Sequence, residues 1–187
     1  ENKRGKNMRK AFLAFSLVGL VGLGAVEFDI VKVHSSIDFQ TKHLLVSKVN
    51  GVFEDFSGKI DVNLKEKKLN FLEGEISMDS IDTKSEGRDK DVRGSGFFDV
   101  AQFPKGYLKM QKQEGDKFYG ILTLKGVSKP VVFDIEVSDM VKHPKTKKDV
   151  VGVQIEGKIN RKDFGIGSNV PNAVVSDEIK ININLEL

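Results

Sequence analysis

Ile179-Lys-Ile-Asn-Ile-Asn-Leu-Glu-Leu187 alternates apolar and polar residues without a break. Period two over this run puts Ile179, Ile181, Ile183, Leu185 and Leu187 on one dry face of a β-strand and leaves the polar residues on a wet face. The same pattern recurs upstream. Val151, Val153, Ile155, Gly157 and Ile159 repeat it, as do Val131, Phe133, Ile135 and Val137, and Phe118, Gly120, Leu122 and Leu124. Nearer the start, Val31, Val33, Ser35, Ile37 and Phe39 form one face, followed by Ile60, Val62 and Leu64, then by Leu72, Ile76 and Met78. Strand after strand with a single apolar face predicts an antiparallel sheet. About eight such strands pair as a sandwich or close as a barrel, and closure removes exposed edges.

Turn signals separate the runs. Lys125-Gly-Val-Ser-Lys-Pro130 reads as a hairpin link with Gly126 available for a positive φ, and Gly115-Asp116 and Glu66-Lys67-Lys68 mark others. Two segments break the rhythm. Ser85 to Ser95 is charged, does not alternate and reads as a short helix. Asn160 to Asn172 is a long glycine-containing connection with room for one helical turn, and long ordered connections in a compact β domain often carry function.

Residues 8–24 read as an export signal. Met8-Arg9-Lys10 is a basic start, Ala11 to Leu23 carries no charge, and Gly22-Leu23-Gly24 supplies the small residues of a cleavage site before Ala25. The run is short for a spanning helix, the alternative being an uncleaved anchor. Residues 1–7 read as an upstream remnant, and residues 25–187 as one β-barrel domain. The expected location is periplasmic or secreted, with no stable membrane insertion once the signal is removed.

The whole chain has 30 Lys and Arg against 27 Asp and Glu. Lys3, Arg4, Lys6, Arg9, Lys10 and Glu1 all precede Ala25, so the remainder holds 25 basic and 26 acidic residues. A near-neutral body offers no general attraction for nucleic acid. The lysines of 142–148 read as a solvated hairpin loop. With no cysteine, disulfides, thiol nucleophiles and thiolate metal sites are excluded.

The sequence offers little catalytic chemistry. The histidines are His34, His43 and His143. His34-Ser35 would place neighbours on opposite faces of a strand, and no G-x-S-x-G turn is present to expose a serine. No spacing suggests three converging metal ligands. Gly165-Ile-Gly167 alone is a weak phosphate-loop signal. The expectation is therefore no catalytic residue, no metal and no cofactor. A lipid-ester hydrolase using Ser35 is the least favoured alternative.

Several motifs occur in a fixed order. They are Phe28-Asp-Ile-Val-Lys-Val-His-Ser-Ser-Ile-Asp-Phe39, Lys42-His43, Val49-Asn-Gly-Val-Phe53, Phe56-Ser-Gly58 and Ser80-Ile81-Asp82-Thr83. Then come Arg88-Asp89, Gly96-Phe-Phe-Asp-Val-Ala-Gln-Phe-Pro104, Gly120-Ile-Leu-Thr-Leu-Lys-Gly126, Lys129-Pro130-Val131 and Ile159-Asn-Arg-Lys-Asp-Phe-Gly165. In this order they resemble the YceI family of polyisoprenoid-binding-like bacterial proteins, over about residues 27–187. The resemblance implies an all-β fold, an extended eight-stranded antiparallel lipocalin-like barrel with short helical segments near the opening. It further implies an exported, often homodimeric protein that holds a long-chain amphiphile. The chain departs from the family at Lys90, where relatives often carry a histidine after the Arg-Asp pair.

The resulting expectation is a carrier or sequestering protein for one long-chain lipid, such as a polyisoprenoid, an isoprenoid quinone or a fatty-acid derivative. Burial of an apolar tail would supply the affinity, with a few polar groups at the mouth. Val33, Ile37, Phe39, Leu122, Phe133, Val153 and Ile155 are the expected tail-lining residues, and His43 and Arg161 the head-group candidates. Arg88-Asp89 reads as an exposed pairing at a helix start, and Phe97, Phe98 and Phe103 as plugs of the barrel end. The alternative from another class is a secreted interaction or stress-related protein whose barrel is only a packed core.

Overall fold

In the computed structural model, which describes residues 26–187, alternation becomes strand almost wherever it occurs. The expected signal at 8–24, its cleavage site and residues 1–7 lie outside the described residues. The elements in chain order are β1 (Val26–Phe28), β2 (Ser36–His43), β3 (Ser47–Phe53), β4 (Phe56–Asn63), β5 (Lys68–Ser77) and β6 (Ile81–Asp82). Helix α1 (Glu86–Arg93) follows, then β7 (Lys105–Glu114), β8 (Lys117–Leu124), β9 (Val127–Val137), β10 (Val141–Lys142), β11 (Asp149–Val150), β12 (Gly152–Asn160) and β13 (Glu178–Glu186). Short 3-10 turns occupy Lys32–His34, Met78–Ser80 and Arg161–Phe164.

One antiparallel sheet runs in the order β1-β4-β5-β7-β8-β9-β12-β13-β2-β3-β6, and β10 and β11 form a separate ribbon. The sheet curls into a lipocalin-like half-barrel. Its strand count differs from the eight expected: eleven strands take part, and the short β1 and β6 sit at the two edges. Among the described residues no ladder joins the two edges. The chain crosses that seam at Glu54-Asp55, where Glu54 N–H donates to the Ser80 carbonyl at 3.2 Å and Ser77 N–H to the Asp55 carbonyl at 2.8 Å.

Two local expectations change. The run from Val31 to Phe39 is not one strand, because Lys32–His34 is a 3-10 turn and β2 begins only at Ser36. Ser35 Oγ donates to the Val31 carbonyl at 2.9 Å and accepts the Glu186 N–H at 2.9 Å, a local bond that competes with extension. Val33 is consequently 85% exposed. The link between β8 and β9 is tighter than 125–130: Lys125 and Gly126 alone make the turn, both at positive φ, as hairpin geometry demands. Pro130 therefore lies inside β9. It is tolerated because β12 pairs only with Asp134 to Val137 of β9, so the first half of β9 has a free edge there.

The two ends of the curl differ. At one end Val62, Leu69, Phe118, Val137, Val151 and Val153 are buried into a closed core. The other end gathers the long connections. Helix α1 with the turns after it and residues 161–177 lie over the ends of β12, β2 and β8, tied by Gly167 N–H to the Gly96 carbonyl at 3.0 Å and by Arg161 N–H to the Asp177 carbonyl at 2.9 Å.

Candidate functional site

Inside the curl a cavity of about 170 Å³ runs from the loop-covered end toward the closed core. Its longest wall is β13, where Ile179, Ile181, Ile183 and Leu185 all face it. Six residue steps of a strand span about 20 Å, so the space is a narrow bore. One water needs roughly 10–15 Å³ of such room, so the bore holds a slim chain far more readily than a bulky ring system.

Glycine and phenylalanine set the bore's shape. Gly58 and Gly74 are register partners on β4 and β5 and both line the cavity, so no side chain enters there. Elsewhere phenylalanine rings occupy the space that a Cβ would take on inward glycines. Phe133 covers Gly157, Phe39 covers Gly51 and Phe118 covers Gly120. Phe133 borders the bore on the β9 and β12 side, whereas Phe118 is buried in the closed core. Near the mouth, Phe39, Phe53 and Phe98 form a row, with ring centroids 5.7 and 6.1 Å apart.

Ile37, Phe39, Leu122 and Phe133, expected to face a tail, all line the bore. Val153 and Ile155 do not. They are buried on the inward face of β12 without bordering the cavity, although their register partners Leu185 and Ile183 on β13 do border it. Val33 does not either, since its turn points it to solvent. The dry face of β13 was legible in the alternation of 179–187, and that signal identifies the bore's longest wall. Phe97 and Phe98, expected as plugs, also border the cavity, whereas Phe103 packs against Gly126.

The head-group candidates change most. His43 is exposed at the end of β2, where it bridges Val175, and it does not border the bore. Arg161 does border it, but is only 2% exposed and spends its five N–H groups on the protein. Nε donates to the Ser176 carbonyl at 3.1 Å, and Nη1 to the carbonyls of Ile166, at 3.0 Å, and Gly167. Nη2 is shared among the Val170 and Val175 carbonyls and Asp177 Oδ1, at 2.7, 3.0 and 2.8 Å. Arg161 is thus the clasp that folds residues 166–177 over the mouth, with no donor left for a ligand.

Arg88 and Asp89 are corrected in the same way. Asp89 is buried and accepts from Thr83 N–H at 2.9 Å and Thr83 Oγ1 at 2.5 Å, while Arg88 donates to Thr83 Oγ1 at 2.8 Å and to the Thr83 carbonyl at 2.7 Å. The two side chains clamp α1 to β6 instead of pairing with each other. Next to them the Lys84 ammonium and backbone N–H hold the Asp82 carboxyl below the ordinary carboxylate range. His34 and Ser35 do not form a nucleophile pair: His34 Nδ1 meets Glu186 Oε1 at 2.6 Å, and Ser35 is bonded to Val31 and Glu186.

Comparison with known proteins gives a consistent picture. A model of the YceI-like domain matches residues 28–187. UPF0312 proteins of Staphylococcus aureus are 35% identical over 136 residues, covering 73% of this chain and 80% of theirs. The crystal structure of a Campylobacter jejuni YceI protein superposes with a TM-score of 0.72 at 33% identity, over 78% of this chain and 88% of that one. Burkholderia cenocepacia BcnA superposes with a TM-score of 0.75 at 19% identity, over 85% and 99%. A polyisoprenoid binding domain from Saccharophagus degradans, implicated in plant cell wall breakdown, gives 0.63 at 14%, over 88% and 98%. The last two share the fold.

Proposed function

The chain belongs to the YceI-like family, and on that premise we propose that it binds one long-chain amphiphile, its apolar tail in the bore and its polar end outside. The observation that carries this reading is the continuous wall of Ile179, Ile181, Ile183 and Leu185 beside a cavity left unfilled by the protein's own side chains. Space lined this way gains free energy by taking an apolar chain out of water, at up to about 0.8 kcal/mol per methylene. The name of the Saccharophagus degradans domain points to polyisoprenoids as the first class to test. With Arg161 committed to its loop, the tail supplies the affinity and the head group contributes little.

Such a protein would carry or sequester lipid without a catalytic step. Export through the 8–24 signal, a periplasmic or secreted location and a homodimer in solution belong to the same proposal. The test is direct. Protein purified from its own host is extracted with organic solvent, and the extract is analysed by mass spectrometry. A single long-chain lipid class near one per bore is the expected result. An empty extract, together with no binding of added prenyl alcohols, would leave the packed-core interaction protein as the better reading. Intact mass of the envelope-derived protein locates its first residue, expected near Ala25, and light scattering gives the oligomeric state.

A further inference from the structure

The β2–β3 hairpin ends in a feature that the fold does not need. Val46 N–H donates to the His43 carbonyl at 3.2 Å, closing a turn whose two central residues, Leu44 and Leu45, have φ of 51° and 60°. A turn with positive φ at both central positions strongly favours Asn-Gly, because a Cβ is disfavoured in that region. Two leucines there cost stability twice over, in backbone strain and in exposure. Leu44 is 53%, Leu45 52% and Val46 86% exposed. Val174, also exposed, adjoins them, its carbonyl accepting the Leu44 N–H at 2.9 Å. The next residue, Val175, lines the bore, so the apolar tip is continuous with the mouth.

The flank of the tip is basic. Lys42 and Lys48 are direct register partners on the outer face, an arrangement that destabilises a strand pair unless an anion is shared. Lys180 lies beside Gln40 on the same face. Among the described residues none of these three lysines has a carboxylate within 4.0 Å, and the nearby Asp177 and Glu178 are engaged by Arg161, Lys162 and Lys158.

We propose that the Leu44-Leu45-Val46 tip docks on an anionic lipid bilayer, entering its acyl region while Lys42, Lys48 and Lys180 meet head-group phosphates. An apolar wedge with a cationic collar has the complementarity of that surface. The docked orientation sets the mouth of the bore against the membrane, which extends the carrier reading above to the place where a tail is exchanged.

The chain has no tryptophan, so a single introduced indole reports its own surroundings. Leu45→Trp and, as a control, Val132→Trp on the outer wall are mixed with vesicles of equal phosphatidylglycerol and acyl-brominated phosphatidylcholine. Strong quenching and a blue shift at position 45, with neither at 132, are expected. Adding Lys42→Glu and Lys48→Glu to Leu45→Trp should weaken vesicle affinity at least roughly tenfold at low salt. Leu44→Asn with Leu45→Gly should reduce partitioning by roughly tenfold or more while raising the thermal midpoint, so lost binding there is not lost folding. Equal quenching at 45 and 132, or none at either, overturns the proposal. So does a blue shift at 45 without vesicles that disappears on dilution, which would assign the tip to self-association. Prenyl-alcohol binding by the same variants, measured by calorimetry without vesicles, tests the bore separately. Docking without bore binding would refute only the carrier, and bore binding without docking only the tip.

Discussion

Arg161 shows how one side chain can organise a mouth without touching a ligand. Burial of a guanidinium is tolerated only when its hydrogen bonds are satisfied, and here five backbone carbonyls and Asp177 do so. Removing the group strands several acceptors at once. We expect Arg161→Met to cost about 3–5 kcal/mol in urea denaturation. Arg161→Lys should recover little of it, since an ammonium has three donors and no planar fork. Near-wild-type stability of the lysine variant would show that charge alone holds the loop. Either variant should alter tail affinity less than it alters stability, because the bore wall on β13 stays intact.

At the scale of elements, the spacing between β9 and β12 makes room for an aromatic ring in the wall of the bore. The two strands pair from Asp134 to Val137 and then separate, and the Phe133 ring fills the widening gap over Gly157. A Cβ at Gly157 would overlap that ring. Gly157→Ala should therefore destabilise by about 1–3 kcal/mol as the ring is driven into the bore. A chemical denaturation curve matching wild type would show that the ring has another place to go. Gly74 is the opposite case: the nearest atom to a Cβ there is the Ser57 carbonyl oxygen at 4.0 Å, so new bulk enters the cavity and not the wall.

That difference allows the whole molecule to be tested as a tunnel. With a ladder of prenyl alcohols, affinity should rise with length and then level off once the bore is full. The increment per methylene should stay below about fourfold, because threading a flexible tail costs freedom. Gly74→Leu should bring the plateau to shorter ligands with no loss of thermal stability. Lys180→Leu, on the outer face of β13, serves as the control and should leave the plateau unchanged. Calorimetry on delipidated protein reads both. Length-independent binding, or equal effects of the two leucines, would argue against a tunnel.

Alternation by itself determined the sheet, because a side chain on a strand has only two faces and a one-residue slip would turn every isoleucine of 179–187 into water. It also located α1 and the 160–172 connection, where period two fails. The inward parity of Ile37, Phe39, Leu122 and Phe133 followed from the same rule. Depth did not. Val153 and Ile155 share that parity and are buried, yet only their register partners on β13, Leu185 and Ile183, border the bore, a difference that neighbouring strands decide. Nor could the chain announce that Arg161 is used up, since its partners lie 5 to 16 residues away and converge only when the loop folds. The 3-10 turn that exposes Val33 hinges on Ser35 meeting Glu186, 151 positions later. The sequence thus set which face each strand buries, a local property of the backbone. The tertiary structure alone decided which buried residues border empty space and which polar groups remain free, because both depend on neighbours brought together by folding.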